Sequence, residues 1–261
     1  MRQTKSLFSR LGVCIACVTL TCCAGAQSTY TPPPESAKLL AGIPLSAGKA
    51  AGKQFTDRFS DCDHHDTCDG KPLTHGCEKD PSQNSTLLQL PGGVIFYDAK
   101  MGIDADGSPL SMKNAGPTDQ PNTSFRYHLP GSPSVNSDVV PYIVIPLGGF
   151  DKALGISIGD IAAVIFKDRL VFALVADLGP KCKIGEGSIQ LHEALGHPVC
   201  RLRDSTGECT KLHDVGIEKN VLYFIFPGSA KNISEGLTPK NVNDRLTTEG
   251  PKLFNALKAR H

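Results

Sequence analysis

Two acidic residues nine positions apart, Asp177 and Glu186, carry the side chains in this sequence best suited to acid–base chemistry. Asp177 leaves an apolar run just before a Gly179-Pro180 turn, and Glu186 stands between Gly185 and Gly187. A carboxyl pair presented on turns beside a rigid hairpin suits glycoside hydrolysis. One group protonates the leaving oxygen, and the other handles water or the anomeric carbon. Composition alone favours a plainer reading, two solvated turn acids, because short motifs match often by accident.

The elements that must position this pair are visible around it. Ile161–Phe166 and Leu170–Val175 are short and rich in Val, Ile and Phe, which predicts paired buried strands. Ser188 is a good N-cap for a short helix over Ile189–Leu195, with Gly196 at the C′ position. Further strands are expected at Val94–Tyr97, Val139–Leu147 and Val221–Phe226, with Phe125–Leu129 as a shorter candidate. Pro141 and Pro146 place the second of these at a sheet edge or end. Helices are expected over Ala47–Phe59 and from Thr238-Pro239 onward, the latter interrupted at Gly250-Pro251 and resuming over Lys252–Arg260. Short strands among Pro- and Gly-rich loops, with few helices, predict a mainly β fold built on a compact β-barrel core. A six-stranded barrel of the double-psi type is expected by analogy with other polysaccharide-cleaving folds.

Three other stretches carry reactive side chains. Asp61-Cys-Asp-His-His-Asp-Thr-Cys-Asp69, followed by His75 and Cys77, suggests zinc, but the paired Cys and His framework is missing, so a disulfide-stapled loop is expected. Asp98, Asp104 and Asp106 lie in a segment whose D-x-D-G fragment lacks the further ligands of a calcium loop. They suit Asx-turns, and equally a carboxylate-lined subsite for an ammonium-bearing sugar. In His192-Glu193-Ala-Leu-Gly-His197 the histidines are five apart, which takes them off a common helix face and excludes the zinc-protease motif. Asp160 is expected to brace a turn. No G-x-G-x-x-G, P-loop or G-x-S-x-G occurs, so nucleotide-binding and serine-hydrolase chemistry lack their signatures. No metal or cofactor is expected.

Arg2, Lys5 and Arg10, the apolar run Leu11–Leu20 and Ala24-Gly25-Ala26 predict a secretory leader over residues 1–26. The run is too short to span a membrane. A lipid anchor at Cys22 or Cys23, with a periplasmic location, is the lesser alternative. Without the leader the chain has 24 basic and 26 acidic residues, which gives no support for nucleic acid binding or polybasic membrane attachment. Six of the ten cysteines then remain: Cys62, Cys68, Cys77, Cys182, Cys200 and Cys209. An even number in an exported chain points to disulfides. Cys200–Cys209 is the natural local pair, and a bridge at Cys182 would brace the turn before Glu186; the rest stays open among 15 pairings. The expected organisation is a Pro-rich leader and Cys-containing extension over 27–91, then a catalytic domain over 92–261.

Taken together, Asp177-Leu-Gly-Pro180 and Ile184-Gly-Glu-Gly-Ser-Ile189 resemble the signature of the fungal-type chitosanases of glycoside hydrolase family 75. Tyr97-Asp-Ala-Lys-Met-Gly-Ile-Asp-Ala-Asp-Gly-Ser-Pro109, Val140-Pro-Tyr-Ile-Val-Ile-Pro146 and Gly155-Ile-Ser-Ile-Gly-Asp160 are similar to that family as well, in the expected order. The likeness runs from about Gly92 to Gly196. It implies a secreted, inverting endo-hydrolase of chitosan with Asp177 and Glu186 as its catalytic carboxyl groups, about 6.5–9.5 Å apart. Its longer side chain favours Glu186 as the acid. By the same likeness Tyr97, Asp98, Lys100, Asp104 and Asp106 are expected to contact substrate. The expected partner is the polysaccharide alone, bound by a monomer. The chain has no Trp to stack on sugars, which steers towards a cationic polymer held by carboxylates. Two other readings stand beside this one: a peptidoglycan-lytic enzyme with a single catalytic acid, and a non-catalytic polysaccharide-binding module.

Overall fold

Six strands each find a partner on both edges and so close into a barrel. The computed structural model describes residues 30–73, 77, 86–113, 120–213 and 216–260. The expected leader, with Cys22 and Cys23, and His75 lie outside the described residues. The barrel strands are β1 (Ile95–Asp104), β2 (Tyr142–Pro146), β3 (Ile161–Phe166), β4 (Arg169–Gly179), β5 (Glu186–Ser188) and β6 (Ile217–Phe226). Their order around the wall is β1-β6-β3-β4-β2-β5, and β5 returns to β1. Two contacts are parallel, β2 with β4 and β5 with β1, and the others are antiparallel. Closure leaves these strands without a free edge. The mainly β, barrel-cored fold expected from the sequence is the fold that forms.

Both faces of much of the wall are buried, which is why Tyr142–Pro146 and Ile161–Phe166 read as continuous apolar runs rather than alternating ones. Ile95, Tyr97, Met101, Val164, Val175 and Tyr223 pack into one cluster. Phe96, Tyr142, Ile165, Leu174 and Phe224 belong to another. The main helices are α1 (Lys53–His65), α2 (Ile189–Ala194) and α3 (Val242–Lys258). Each departs from or matches its sequence expectation for a local reason. α1 begins six residues later than expected, because Lys49–Ala50 is taken by a short strand against Leu88–Gln89 and Gly52 turns the chain at φ +69°. It then runs through Cys62, into the stretch expected as a loop, and buries Phe55, Phe59 and Cys62 on one side. α2 is capped by Ser188, whose hydroxyl accepts from Leu191 N. α3 is continuous through Pro251 instead of broken there. Gly250 gives up its side-chain space to the Phe172 ring, since a Cβ would stand 2.3 Å from Phe172 Cγ. Leu246, Phe254 and Leu257 bury the same face, so packing outweighs the loss of one backbone bond at proline. Of Phe125–Leu129 only an isolated bridge, Arg126 to Ser134, is formed.

The segment before the barrel is tied to it at several points. Leu87–Gln89 pairs with Ile95–Tyr97 of β1, and the Lys100 ammonium on β1 meets Asp63 of α1 at 2.6 Å. Three disulfides form: Cys62–Cys77, Cys68–Cys182 and the expected Cys200–Cys209. The second joins the short strand Thr67–Cys68, just after α1, to the loop before β5. Among the described residues no helix is long and apolar enough to cross a membrane. Asp160 is fully buried and accepts from Ser157 N and Ala230 N at 2.7 and 2.9 Å, holding the entry to β3.

Candidate active site

Strand β2 stands between the two acids. Val144 pairs on one edge with Asp177 of β4 and on the other with Glu186 of β5. Directly paired residues project to the same side of a sheet, so both acids share a face. Two strand spacings put their α-carbons about 9–10 Å apart. Glu186 was expected on a turn; the turn ends one residue earlier. Gly185, at φ +83°, lies so close to Lys100 O that a Cβ would stand 2.1 Å from it, and Glu186 begins β5. Glycine is required at 185 on both counts.

Asp177 is aimed by a β-bulge. The register with β2 skips from Val175 to Asp177, leaving Ala176 as the extra residue. Ala176 O accepts from Phe125 N at 2.8 Å, which docks the loop of residues 122–126 beside the bulge. From that loop Ser124 donates twice to Asp177 Oδ1, by its backbone N–H at 2.9 Å and its hydroxyl at 2.6 Å. Leu178 N donates to the same oxygen at 2.8 Å. Three donors on Oδ1 fix the carboxylate plane, and the side chain is only 5% exposed. Sequence reasoning missed Ser124, because nothing marks one serine in a Pro- and Asn-rich loop as a partner of a residue 53 positions on.

Asp104 and Asp106, at the end of β1, join Asp177. One carboxylate oxygen from each lies within 4.8 Å of the others. Asp106 N donates to Asp104 Oδ1 at 2.8 Å, and Gln120 N to Asp106 Oδ1 at 2.6 Å. Burial, then the charges of Asp106, Asp177 and Glu186, push the Asp104 carboxyl well above its ordinary pKa. A cation brought among these three carboxylates would oppose that shift. A cleft of about 340 Å³ opens over Asp106 and Asp177, walled by Gln120, Asn122, Ser124 and Arg126, with no aromatic side chain among its described lining residues.

Glu186 has a cationic neighbour that the sequence reading also missed, although it lies only three residues away. Lys183 Nζ is 3.0 Å from Glu186 Oε1. The other oxygen packs on bare backbone, since a Cβ on Gly179 would stand 2.7 Å from Glu186 Oε2. The Cys68–Cys182 bridge anchors the loop that carries Lys183 and leads into Glu186. Cys68, Asp69 and Cys182 also come together, but both sulfurs are spent in that bridge, so no thiolate is left for a metal. His192 is buried in the core between the carbonyls of Ser188 and Met101, and burial lowers its pKa.

Three expected substrate contacts lie elsewhere. Tyr97 is buried and stacks on Tyr223 at 4.4 Å. Lys100 is buried against Asp63 and the carbonyl of Cys77. Neither presents surface to a sugar. Asp98 is buried too, and its Oδ2 accepts from the Tyr30 hydroxyl at 2.7 Å. Burial, partly opposed by that bond, pushes Asp98 up to about 6. Its folded value exceeds its unfolded one, so its contribution to stability is full below about pH 4 and lost as pH rises to about 6. Asp98→Asn is therefore expected to add about 1–3 kcal/mol at pH 7 and nothing at pH 4. Urea midpoints across that range measure it, and an unchanged difference between the two pH values would refute this account of Asp98.

The sequence model of one family, described as fungal chitosanase of glycosyl hydrolase group 75, matches residues 101–255. No curated protein matches the chain. The matched span takes in β2 to β6, both acids, Asp104, Asp106, Ser124 and Lys183. It covers more than half of the 261 residues, and the chain belongs to the group 75 family of glycoside hydrolases.

Proposed function

We propose that this protein is a secreted, endo-acting chitosanase that cleaves β-1,4 bonds by single displacement, using Asp177 and Glu186. The observation that carries the reading is the pairing of both acids with Val144, one strand apart on either side. An α-carbon separation of about 9–10 Å is compatible with the roughly 6.5–9.5 Å between carboxyl groups that inversion requires. Glu186 is the acid in this reading, and Lys183 stabilises the carboxylate left once the proton has moved to the leaving oxygen. Asp177 is the base: with Oδ1 taken by three donors, Oδ2 is the oxygen left to hold and deprotonate the water. Asp104 and Asp106 supply the countercharge for a glucosamine ammonium. A cleft whose described lining holds Asp106 and Asp177 beside a single cation, Arg126, and no aromatic ring fits a polycation better than cellulose or chitin. The three disulfides agree with export.

Incubation with chitosan, chitin and peptidoglycan tests the proposal. Chitosan is expected to fall rapidly in chain length, with new reducing ends in the α configuration when followed by proton NMR. New β ends would rule out inversion. Anhydro-sugars from peptidoglycan would favour the single-acid lytic enzyme, and binding without shortening would favour the wall-binding module.

A further inference from the structure

Arg126 lines the cleft over Asp106 and Asp177, and its backbone is fixed to the same frame as those acids. Phe125 N, just before it, donates to Ala176 O at 2.8 Å, and Ser124 of the same loop holds Asp177 Oδ1. Arg126 itself bridges to Ser134. One end of its guanidinium is pinned as well: Nη1 donates to Asn122 Oδ1 at 2.8 Å and to Ser132 O at 3.2 Å. Among the described residues no acceptor meets Nε or Nη2, and no carboxylate forms an ion pair with the group. A guanidinium stays charged at every working pH. Beside two acids that face a polycation it works against binding, unless it has a task of its own.

We propose, resting on the chitosanase reading above and deepening it, that Arg126 reads acetylation: the sugar lying against it is N-acetylglucosamine, held by its acetyl carbonyl, while the acids of the same cleft take the ammonium of a neighbouring glucosamine. Chitosan carries these two groups at C2 of its sugars. The ammonium has donors only, as the guanidinium has, so the two form no hydrogen bond and their charges repel. The N-acetyl group is neutral, and its carbonyl oxygen accepts from the unused side of the fork. Sugar hydroxyls accept from Arg126 on either sugar, so the discrimination comes from C2 alone. Arg126 is exposed, and water weakens both effects. At about 4 Å in a water-like medium the repulsion still amounts to about fivefold, and salt reduces it.

The test is digestion of partially acetylated chitosan, with mass-spectrometric sequencing of the sugars on each side of the broken bonds, and a parallel rate measurement on fully deacetylated chitosan. The wild-type protein is expected to enrich N-acetylglucosamine about fivefold over random at one fixed position beside the cut, and the enrichment should shrink as sodium chloride is raised to about 0.5 M. Arg126→Gln, which keeps a neutral donor, should lose the enrichment and gain about fivefold in kcat/KM on the fully deacetylated polymer. The sign of that gain separates reading the substrate from merely holding the loop, because a loosened loop would misplace Ser124 and Asp177 and slow both polymers. Wild-type products enriched at no position, an undiminished enrichment in Arg126→Gln, or a loss on both polymers in that variant overturn the proposal. Where the variant fails to fold, the wild-type salt series decides, and an enrichment that salt does not move overturns it. A wild type that shortens no chitosan at all removes the chitosanase reading and this proposal with it, whereas shortening with random ends removes only this proposal.

Discussion

Glu186→Gln and Asp177→Asn each lower chitosan turnover by about a hundredfold to ten-thousandfold, the usual contribution of a positioned proton donor or acceptor. The substitutions keep shape and remove only proton chemistry. In Asp177→Asn the amide oxygen still accepts from Ser124 and Leu178, so the bulge and its loop stay docked. In Glu186→Gln the side chain still fits over Gly179 and Gly102. Thermal midpoints should therefore stay within a few degrees of wild type, and reducing-end assays should carry the whole effect. Ser124→Ala removes one of three donors and should cost about tenfold, less than either acid. Near-native turnover in Glu186→Gln or Asp177→Asn would take that residue out of the mechanism.

The barrel was legible because its strands are buried on both faces. Runs such as Ile161–Phe166 and Val221–Phe226 are continuous apolar stretches, and the structure adds little to their bounds beyond the polar start of β6. The helices were less legible. Gly250-Pro251 is a strong local stop, and only the fit of Phe172 against Gly250, a contact far apart in the chain, explains why α3 ignores it. At the site, Asp177 and Glu186 could be named because their turn glycines and neighbouring strands are local signals. Ser124 carries no such signal, and its bond to Asp177 exists only once β4 has bulged. The misplacement of Tyr97 and Lys100 has the same origin: in a strand covered on both faces, polar type does not tell exposure, and a lysine can be buried where a carboxylate such as Asp63 meets it. Asp98 shows this too, since a carboxyl in a dense acidic segment ends up under Tyr30 rather than in the cleft.

The largest effect on stability is expected from the bridge between the strand just after α1 and the loop before β5. Cys68–Cys182 spans 114 residues, whereas Cys200–Cys209 spans 9. Closing the longer loop removes more freedom from the unfolded chain, about 5 kcal/mol against about 3 kcal/mol. Five kcal/mol is a large part of the stability of an ordinary domain. The double variant Cys68→Ser/Cys182→Ser should therefore have a much lower urea midpoint than Cys200→Ser/Cys209→Ser, both compared with the wild type without reductant. The two variants should also differ in activity at a temperature where each is still folded. Cys182 adjoins Lys183 and lies four residues before Glu186, so releasing it loosens the segment that seats the acid over Gly179. Cys200–Cys209 lies on an outlying hairpin, and its loss should leave turnover near wild type. Equal midpoints in the two variants would mean that the segment preceding the barrel is held mainly by contacts such as Asp63–Lys100. Full turnover without Cys182 would mean that strand pairing alone, Glu186 with Val144 and Gly102, is enough to place the acid.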